Sequence, residues 1–528
     1  MTRRGSVARD EPVSRDETTP RVSSPRHPFF FATYPVLTLY PTNMDEIALE
    51  HLIIPIAAVL ILTKIGLRML RFVVPDRDRS ALIMTPVVVL FFTFGHVCGL
   101  VEDLVPGWSD AYLLVAWIPL LGFSAWVALR LVSNPPMWSS ILNRIGMIAC
   151  LMPSVFALIQ WSQATRPNPI ELGTPAQISS TGIKPDIYHI ILDGYARGDV
   201  LEKLYGMSNE PFLTALESRG FVVARKSAAN YSQTFISMAS TLNMIHLDSL
   251  ADQMGSSKDR SPLKYLVAEN KVVQMLRQLK YEIVRFSSGW VGTDAIRADR
   301  TIKPRIELSE LNNLVLGLTP LFRSALLELP YQLHRNRILL TLRELPRVAS
   351  SDGPEFILAH LVCPHPPFVF RSDGSFGNPG VMFNIMDGLS AKRHYRLSSK
   401  QFHDQYADQV QFLNNKLVET IDAILTASKS PPVIFIHSDH GPSSLDHSEA
   451  SFEAMAFERM GILFACLVPP EIRSRFQPTT TPVNFYRILF AELFKAPIQP
   501  LQDRVTYSDW ESPYKLRDVT KLLRSDEP

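Results

Sequence analysis

The sequence predicts an α/β protein in two parts: an N-terminal transmembrane helix bundle, then a soluble domain built on a mostly parallel sheet. Three observations carry that expectation. Residues 81–101 and 111–129 contain no Asp, Glu, Lys or Arg, and each is long enough to cross a hydrocarbon core of about 30 Å. Beyond residue 184, apolar runs of strand length alternate with helical patterns, as in sheets covered on both faces. One such run, Val433-Ile434-Phe435-Ile436, closes in Ser438-Asp439-His440-Gly441. A hard oxygen ligand and an imidazole thus stand at the carboxyl end of a buried strand, where open α/β sheets build their sites.

In the first part, residues 145–161 form a third span and 49–67 a fourth, with Glu50, His51 and Lys64 near its ends. The stretch 29–40 is apolar but short, and reads as a tilted span, a re-entrant segment or an interfacial anchor. Loop charge orients the bundle. Arg68, Arg71, Arg77 and Arg79 outweigh Asp76 and Asp78 in one loop, the next holds only acids (Glu102, Asp103, Asp110), and the third carries Arg130 and Arg144. An excess of Arg marks the cytoplasmic side, which places everything after residue 161 outside. If 29–40 also crosses, the start with Arg3, Arg4, Arg9 and Arg15 becomes cytoplasmic too, and five crossings are favoured on that ground. The expected location is the cell membrane, multi-pass. Residues 1–28 are polar and read as a disordered arm, with no apolar core for a cleavable signal peptide. Residues 162–184, rich in Pro, Thr, Ser and Gly, read as a linker, 185–510 as the soluble domain and 511–528 as a tail.

The charges nearly cancel, with 53 Lys and Arg against 51 Asp and Glu, so no nucleic-acid partner is expected. Cys98 and Cys150 lie in apolar spans, while Cys363 and Cys466 sit far apart in strand-like runs. Without paired spacing they predict neither a zinc cluster nor an obligatory disulfide. In the soluble part, strands are expected at 188–192, 281–286, 356–361, 433–436 and 462–468. Helices are expected near 208–218, from Phe235, and along the apolar face formed by Tyr406, Val410, Leu413, Leu417, Ile421 and Ile424.

Four segments carry chemistry. Asp193 ends the first strand, Thr234 precedes a helical run, His360 and His365 frame a Pro-rich segment, and Asp439 and His440 complete the set, with His437 and His447 nearby. Two carboxylates and an imidazole suit a divalent cation. Such an ion lowers the pKa of a bound hydroxyl and offsets charge on a phosphoryl or sulfuryl oxygen. A Thr at a helix N-terminus sits where backbone N–H groups favour an anion. Further imidazoles can hold substrate oxygens or protonate a leaving group. Singly, each residue has a plainer use: Asp193 before Gly194 as a turn, Thr234 as a helix cap, His365 as a loop residue. Tyr231 and Trp290 read as packing rather than substrate contacts.

The order of these segments resembles the alkaline phosphatase superfamily, and within it the membrane sulfatase-like branch of lipoteichoic acid synthases and phosphoethanolamine transferases. The resembling residues are Asp193, Thr234, His365-Pro366-Pro367-Phe368 and Asp439-His440-Gly441, and the likeness runs over about 185–510, including Thr481-Pro482-Val483-Asn484-Phe485-Tyr486-Arg487. It implies a sulfatase-like domain with Asp193, Thr234, Asp439 and His440 as ligands of one divalent cation (Mn, Zn or Mg), a second being left open. Thr234 would double as nucleophile, with His365 catalytic and His360 and His447 facing substrate or a second metal. The implied activity is transfer of a phosphoester head group, of phosphoglycerol or phosphoethanolamine type, from a lipid-linked donor or to a cell-envelope acceptor. Two departures bear on this. The first acid is followed by Gly, where such transferases often have Glu and sulfatases an Asp-Asp pair. No Cys/Ser-x-Pro-x-Arg segment for a formylglycine exists, which disfavours a true sulfatase. The alternatives are a phosphodiesterase or sulfuric-ester hydrolase of the same fold, and a catalytically inactive envelope-binding module.

Overall fold

The computed structural model describes residues 24–44, 47, 49–105, 110–163, 178, 184–321, 327–348, 353–377, 380–446, 448 and 450–524. The arm over 1–23, most of the 162–184 stretch and His447 lie outside the described residues.

Five apolar helices come first: α1 (His27–Thr42), α2 (Ile53–Leu70), α3 (Arg77–Leu104), α4 (Asp110–Trp126) and α5 (Pro135–Gln163). Among the described residues, four helical stretches are long and apolar enough to cross a membrane: Leu49–Leu70, Arg77–Val101, Asp110–Leu131 and Pro135–Ser162. The 29–40 stretch lies in α1, whose 16 residues span roughly 24 Å at 1.5 Å each, less than the thickness of a bilayer core. It is nonetheless a bundle member: His27 Nδ1 lies 2.6 Å from Thr85 Oγ1 of α3, and Phe30 O accepts from Cys150 Sγ of α5 at 3.2 Å. Arg144, expected in a loop, falls within α5. That helix begins ten residues before its apolar run because Pro135 and Pro136 are pre-set for a first turn.

The second part is an α/β domain on one seven-stranded mixed sheet. Its strands are β1 (Ile187–Leu192), β2 (Val222–Val223), β3 (Glu282–Phe286), β4 (Arg300–Ile302), β5 (Glu355–Leu361), β6 (Val433–His437) and β7 (Phe464–Leu467), in the order β2-β7-β6-β1-β5-β3-β4. β6, β1, β5, β3 and β4 run parallel, while β7 is antiparallel to both β6 and β2. All six residues of β1 are buried. Tyr188, Ile190 and Leu192 join the core on one face, and Ile187 and Ile191 the core on the other. Each such fully buried Ile or Leu stabilises the sheet by roughly 1.5–3 kcal/mol.

Helices Leu329–Val348 and Ser399–Ala427 cover the first face, and Thr234–Asn243 and Pro482–Phe494 the second. The Ser399–Ala427 helix buries all six apolar residues expected of it. It starts seven residues earlier than they do, because Ser398 and Gln401 form a reciprocal capping box. Past residue 510 the chain returns to the domain, where Val519 is buried with Ala228, Ala229 and Val505.

The two parts touch through the helix Glu310–Gly317. Its Leu311 and Val315 share a buried cluster with Ala32, Val36, Val88 and Phe92 of the bundle. Gly95 N of α3 donates to Leu318 O at 2.9 Å.

Candidate active site

Three adjacent strands deliver the polar cluster. β1 sits between β6 and β5, with Ile191 level with His437 on one side and His360 on the other. Residues just beyond the three strand ends therefore converge over the same edge of the sheet. Asp193 follows β1 directly, and its backbone N donates to Leu361 O at 3.0 Å. The chain then turns through Gly194 at φ +74°, a left-handed conformation natural to glycine. Gly194 N donates to Asp439 Oδ1 at 3.3 Å, linking the turns after β1 and β6.

The side chains meet at short range. Asp193 Oδ2 is 3.3 Å from His360 Nε2, and Asp193 Oδ1 is 3.6 Å from His440 Nε2. Asp439 Oδ2 is 3.3 Å from that same nitrogen, and Thr234 Oγ1 is 3.0 Å from it. His440 Nδ1 lies 2.9 Å from Gly441 O, which accepts a proton-borne bond only. The N–H therefore sits on Nδ1, and Nε2 presents a lone pair to the cluster. Thr234 opens its helix but does not cap it: the N-cap is Gln233, without a side-chain cap bond. The hydroxyl is turned toward His440 instead, and the first amides of the helix have no preceding turn to bond.

The donor set fits a cation. One ligand atom each from Asp193, His360 and Asp439 lie within 4.8 Å of one another, all three residues buried. Asp193 Oδ1, Asp439 Oδ2 and His360 Nε2 are buried without a hydrogen-bond partner. Buried polar atoms are normally paired, so two carboxylate oxygens and an imidazole nitrogen left open toward one point are what a divalent ion would satisfy. Electrostatics agree. Burial alone would raise the pKa of Asp193, but His365, His360 and His440 outweigh it and hold the carboxyl below the usual carboxylate range. Burial likewise opposes charge on His360, yet Asp193 and Asp439 hold its pKa above the ordinary value.

Fold and motif order agree with the arrangement that the sequence resemblance implies: a mixed sheet between helices, with Asp193, Thr234 and Asp439-His440 gathered at one edge. No protein-family model matches the sequence, and no curated protein does. Solved structures do match. The C-terminal periplasmic domain of EcEptC from Escherichia coli, in complex with Zn, is 12% identical with a TM-score of 0.43, over 66% of this chain and 97% of its own. The integral membrane protein lipooligosaccharide phosphoethanolamine transferase A from Neisseria meningitidis is 11% identical with a TM-score of 0.39, over 94% of this chain and 100% of its own. A phosphonate monoester hydrolase of Agrobacterium radiobacter is 11% identical with a TM-score of 0.37, over 61% of this chain and 80% of its own. Likeness at this level speaks to neither substrate nor reaction; those rest on the side chains.

Of the sequence-derived candidates, Asp193, Thr234, His360, Asp439 and His440 come together. His365 borders them: its ring centroid is 6.4 Å from that of His440, Nδ1 lies 2.6 Å from Pro366 O, and Nε2 faces Asp387 Oδ1 at 3.7 Å. His437 points away from the cluster. Its Nδ1 bonds Ser438 O at 2.8 Å and its Nε2 meets His189 Nε2 at 2.8 Å, while His189 Nδ1 meets Tyr486 OH at 2.8 Å. Only one proton arrangement serves all three contacts: Tyr486 donates to His189, His189 to His437, and His437 to the backbone. Tyr231 is fully buried and its hydroxyl accepts from Leu247 N at 2.6 Å. Trp290 stands edge-on to His360 at 5.5 Å between centroids.

Sequence reasoning missed Arg459 and Asp387. Arg459 is 7% exposed. Its Nε donates to Ser232 O at 2.6 Å, its Nη1 to Gly441 O at 3.0 Å, and it pairs with Asp387 Oδ2 at 2.5 Å. One guanidinium thus ties the Thr234 loop, the turn after Asp439-His440 and the carboxylate facing His365. Beside it, Glu458 accepts from Ser444 N at 3.0 Å, Ser444 Oγ at 2.5 Å and Tyr205 OH at 2.6 Å, fixing the loop that leaves Gly441. A buried Glu-Arg pair at the end of an otherwise apolar helix face was the one signal available.

Proposed function

We propose that this chain is a membrane-anchored, metal-dependent enzyme that moves a phosphoester head group through a phospho-threonine at Thr234. The observation that carries the reading is the hydroxyl of Thr234, withdrawn from helix capping and set 3.0 Å from His440 Nε2, beside two buried carboxylates open toward the same point. Asp193, Asp439, His440 and His360 would hold the cation, with Thr234 Oγ1 beside them, 3.0 Å from His440 Nε2. When bound, a divalent cation lowers the pKa of the hydroxyl and offsets charge on the phosphoryl oxygens.

The chain's own residues do the rest. Oγ1 of Thr234 bonds to phosphorus as the bond to the leaving alkoxide breaks, and the hydroxyl proton goes to solvent. His365 donates a proton from Nε2 to the leaving oxygen, and Asp387 gives a proton on that nitrogen a carboxylate to face. The ester at the start of the Thr234–Asn243 helix lies where free amides and the helix dipole favour an anion. An acceptor hydroxyl, or water, then gives its proton to His365 and bonds to phosphorus as the bond to Oγ1 breaks, and Oγ1 takes a proton back from solvent. Arg459 acts as a positioning residue.

Arg-rich loops on one side of the bundle favour an extracytoplasmic catalytic domain over about 185–510, at the cell membrane. Tethering favours a lipid-linked donor of phosphoglycerol or phosphoethanolamine type, or a cell-envelope acceptor. The test is metal-dependent turnover of a fluorescent phospholipid in vesicles, with product masses read for wild type and Thr234→Ala. Head-group transfer and a phosphorylated Thr234 peptide, both lost in the variant, are expected. Free phosphoester product in place of an extended acceptor would make the enzyme a hydrolase. Undiminished turnover by Thr234→Ala, or none by wild type with any divalent ion, would overturn the reading.

A further inference from the structure

The helix that carries Thr234 opens on Ser232-Gln233-Thr234, three polar side chains beside its own first amides. Ser and Thr at such a place ordinarily turn back to cap. None of the three does so. Thr234 Oγ1 faces His440, and the other two are engaged by a segment from the far end of the chain, 504–510.

That segment lies alongside 230–233 like an added strand. Tyr231 and Thr506 form a parallel bridge, Thr506 N donates to Asn230 O at 2.9 Å, and Asn230 Nδ2 donates to Arg504 O at 2.9 Å. Ser508 grips Ser232 twice: its N donates to Ser232 Oγ at 2.9 Å, and its O accepts from that hydroxyl at 2.7 Å. Gln233 Nε2 donates to Asp509 O at 2.8 Å and to Ser508 Oγ at 3.1 Å. A carbonyl oxygen only accepts, so the amide nitrogen is the atom that points this way. Asn230, Ser232, Gln233 and Ser508 are all buried. The segment is tied on its other side as well, where Val505 N donates to Thr520 Oγ1 and Val519 N to Val505 O, both at 2.9 Å.

Gln233 thus has the backbone of a helix cap (φ −135°, ψ 144°) while its side chain serves the C-terminal segment. Ser237 N makes the first bond of the helix, to Gln233 O at 2.9 Å. The amides of Phe235 and Ile236 lie ahead of that bond. They adjoin Thr234 and the cation cluster, in which Asp439 Oδ2 is buried without a partner and Asp439 O accepts from Ser237 Oγ at 2.8 Å.

We propose that Gln233 is a positioning residue for Thr234. Bound to the segment 504–510, its side chain anchors the residue before the nucleophile and is kept off the helix start, so that the first amides stay open to a phosphoryl oxygen. The proposal rests on the phosphoester reading above and names what holds its nucleophile in place.

The variant Gln233→Asn separates the two uses of this side chain. One methylene shorter, it falls short of Asp509 O but has the length that suits a cap on the amide of Ile236. In full-length protein in vesicles, single-turnover phosphorylation of Thr234 should fall about 100-fold while KM for the lipid moves less than about two-fold. The melting temperature should stay at or above that of the wild type, because the new cap offsets the lost bonds. Inorganic phosphate, titrated with manganese present, should bind about ten-fold more weakly, as when a hydrogen bond to a charged group is lost. A wild-type rate, a raised KM at unchanged kcat, equal phosphate affinity in the two proteins, or a melting temperature that drops along with the rate would each overturn the proposal. Phosphate binding needs no turnover. If the wild type never phosphorylates Thr234 while Gln233→Asn still weakens phosphate, the catalytic reading fails and the role of Gln233 at the helix start stands.

Discussion

Replacing Arg459 should disable the site without touching any group that meets substrate. The guanidinium satisfies two backbone carbonyls, Ser232 O at 2.6 Å and Gly441 O at 3.0 Å, and one carboxylate, Asp387, at 2.5 Å. Arg459→Met would leave both carbonyls and the carboxylate without that partner. Ser232 O is then orphaned, at about 1–3 kcal/mol, while Gly441 O keeps the His440 Nδ1–H. The Asp387 side chain is 38% exposed, so water recovers part of the lost ion pair. A total of about 2–4 kcal/mol follows, a large share of the roughly 5–15 kcal/mol that holds a domain folded. Catalysis should suffer more than stability. Ser232 lies two residues before Thr234, and a displacement of about 1 Å in a reacting group costs on the order of 100-fold. Arg459→Lys keeps the charge but cannot make three directed contacts, so it should melt near the wild type yet lose most turnover. The assay is single-turnover phosphorylation of Thr234 read by mass spectrometry, beside thermal unfolding in detergent. An Arg459→Lys protein that phosphorylates Thr234 at the wild-type rate would refute the reasoning.

Three further perturbations follow from the geometry. In Gly441→Ala the new Cβ would lie 2.2 Å from Glu458 O and 3.1 Å from the carbonyls of Arg459 and Gly461. These backbone atoms cannot swing aside, so a loss of about 1–3 kcal/mol with lost turnover is expected, and a neutral melt would contradict it. Burial lowers the pKa of both His334 and His437 to about 3. The unfolded chain, titrating near 6.5, binds more protons between about pH 3 and 6.5, so this stability is whole above 6.5 and lost as pH falls. Two such groups cost about 4 kcal/mol at pH 5, and equal melting temperatures at pH 8 and pH 5 would refute that. Asp193→Asn and Asp439→Asn should each lower the divalent metal bound per chain by elemental analysis, and abolish the drop in melting temperature that a chelator causes in the wild type. Full metal content in both variants would displace the ion from this site.

Much of this was visible in sequence because it rests on local pattern. β1, β5 and β6 are buried on both faces, so their runs are continuously apolar and end abruptly at Asp193, after His360 and before Asp439. The long Ser399–Ala427 helix announces itself by its apolar stripe. What stayed hidden depends on distant pairing. β2 and β4 are two and three residues long, too short for any period to register. Asp387 sits in a loop and gains meaning only from His365 and Arg459. His360 is a case between: its position was legible, but the sequence could not say that its Nε2 would lie 3.3 Å from the carboxylate of Asp193 across the strand pair. Thr234 shows the converse, since the expected cap is absent and the hydroxyl serves another partner.

The strands that carry the cluster are far apart along the chain; Gly194 and the Asp439 carboxylate it bonds are separated by 245 positions. During synthesis Asp193 therefore emerges long before its counterpart exists, and β1 must wait for a central neighbour on one side. Closing so long a loop is slow compared with forming local helices. The helical bundle can be complete while the metal-binding half is still a string of unpaired strands. A chain cut short before residue 433 would keep the bundle, Asp193, Thr234 and His360, but lack Asp439, His440 and Arg459, the residues that close the cluster.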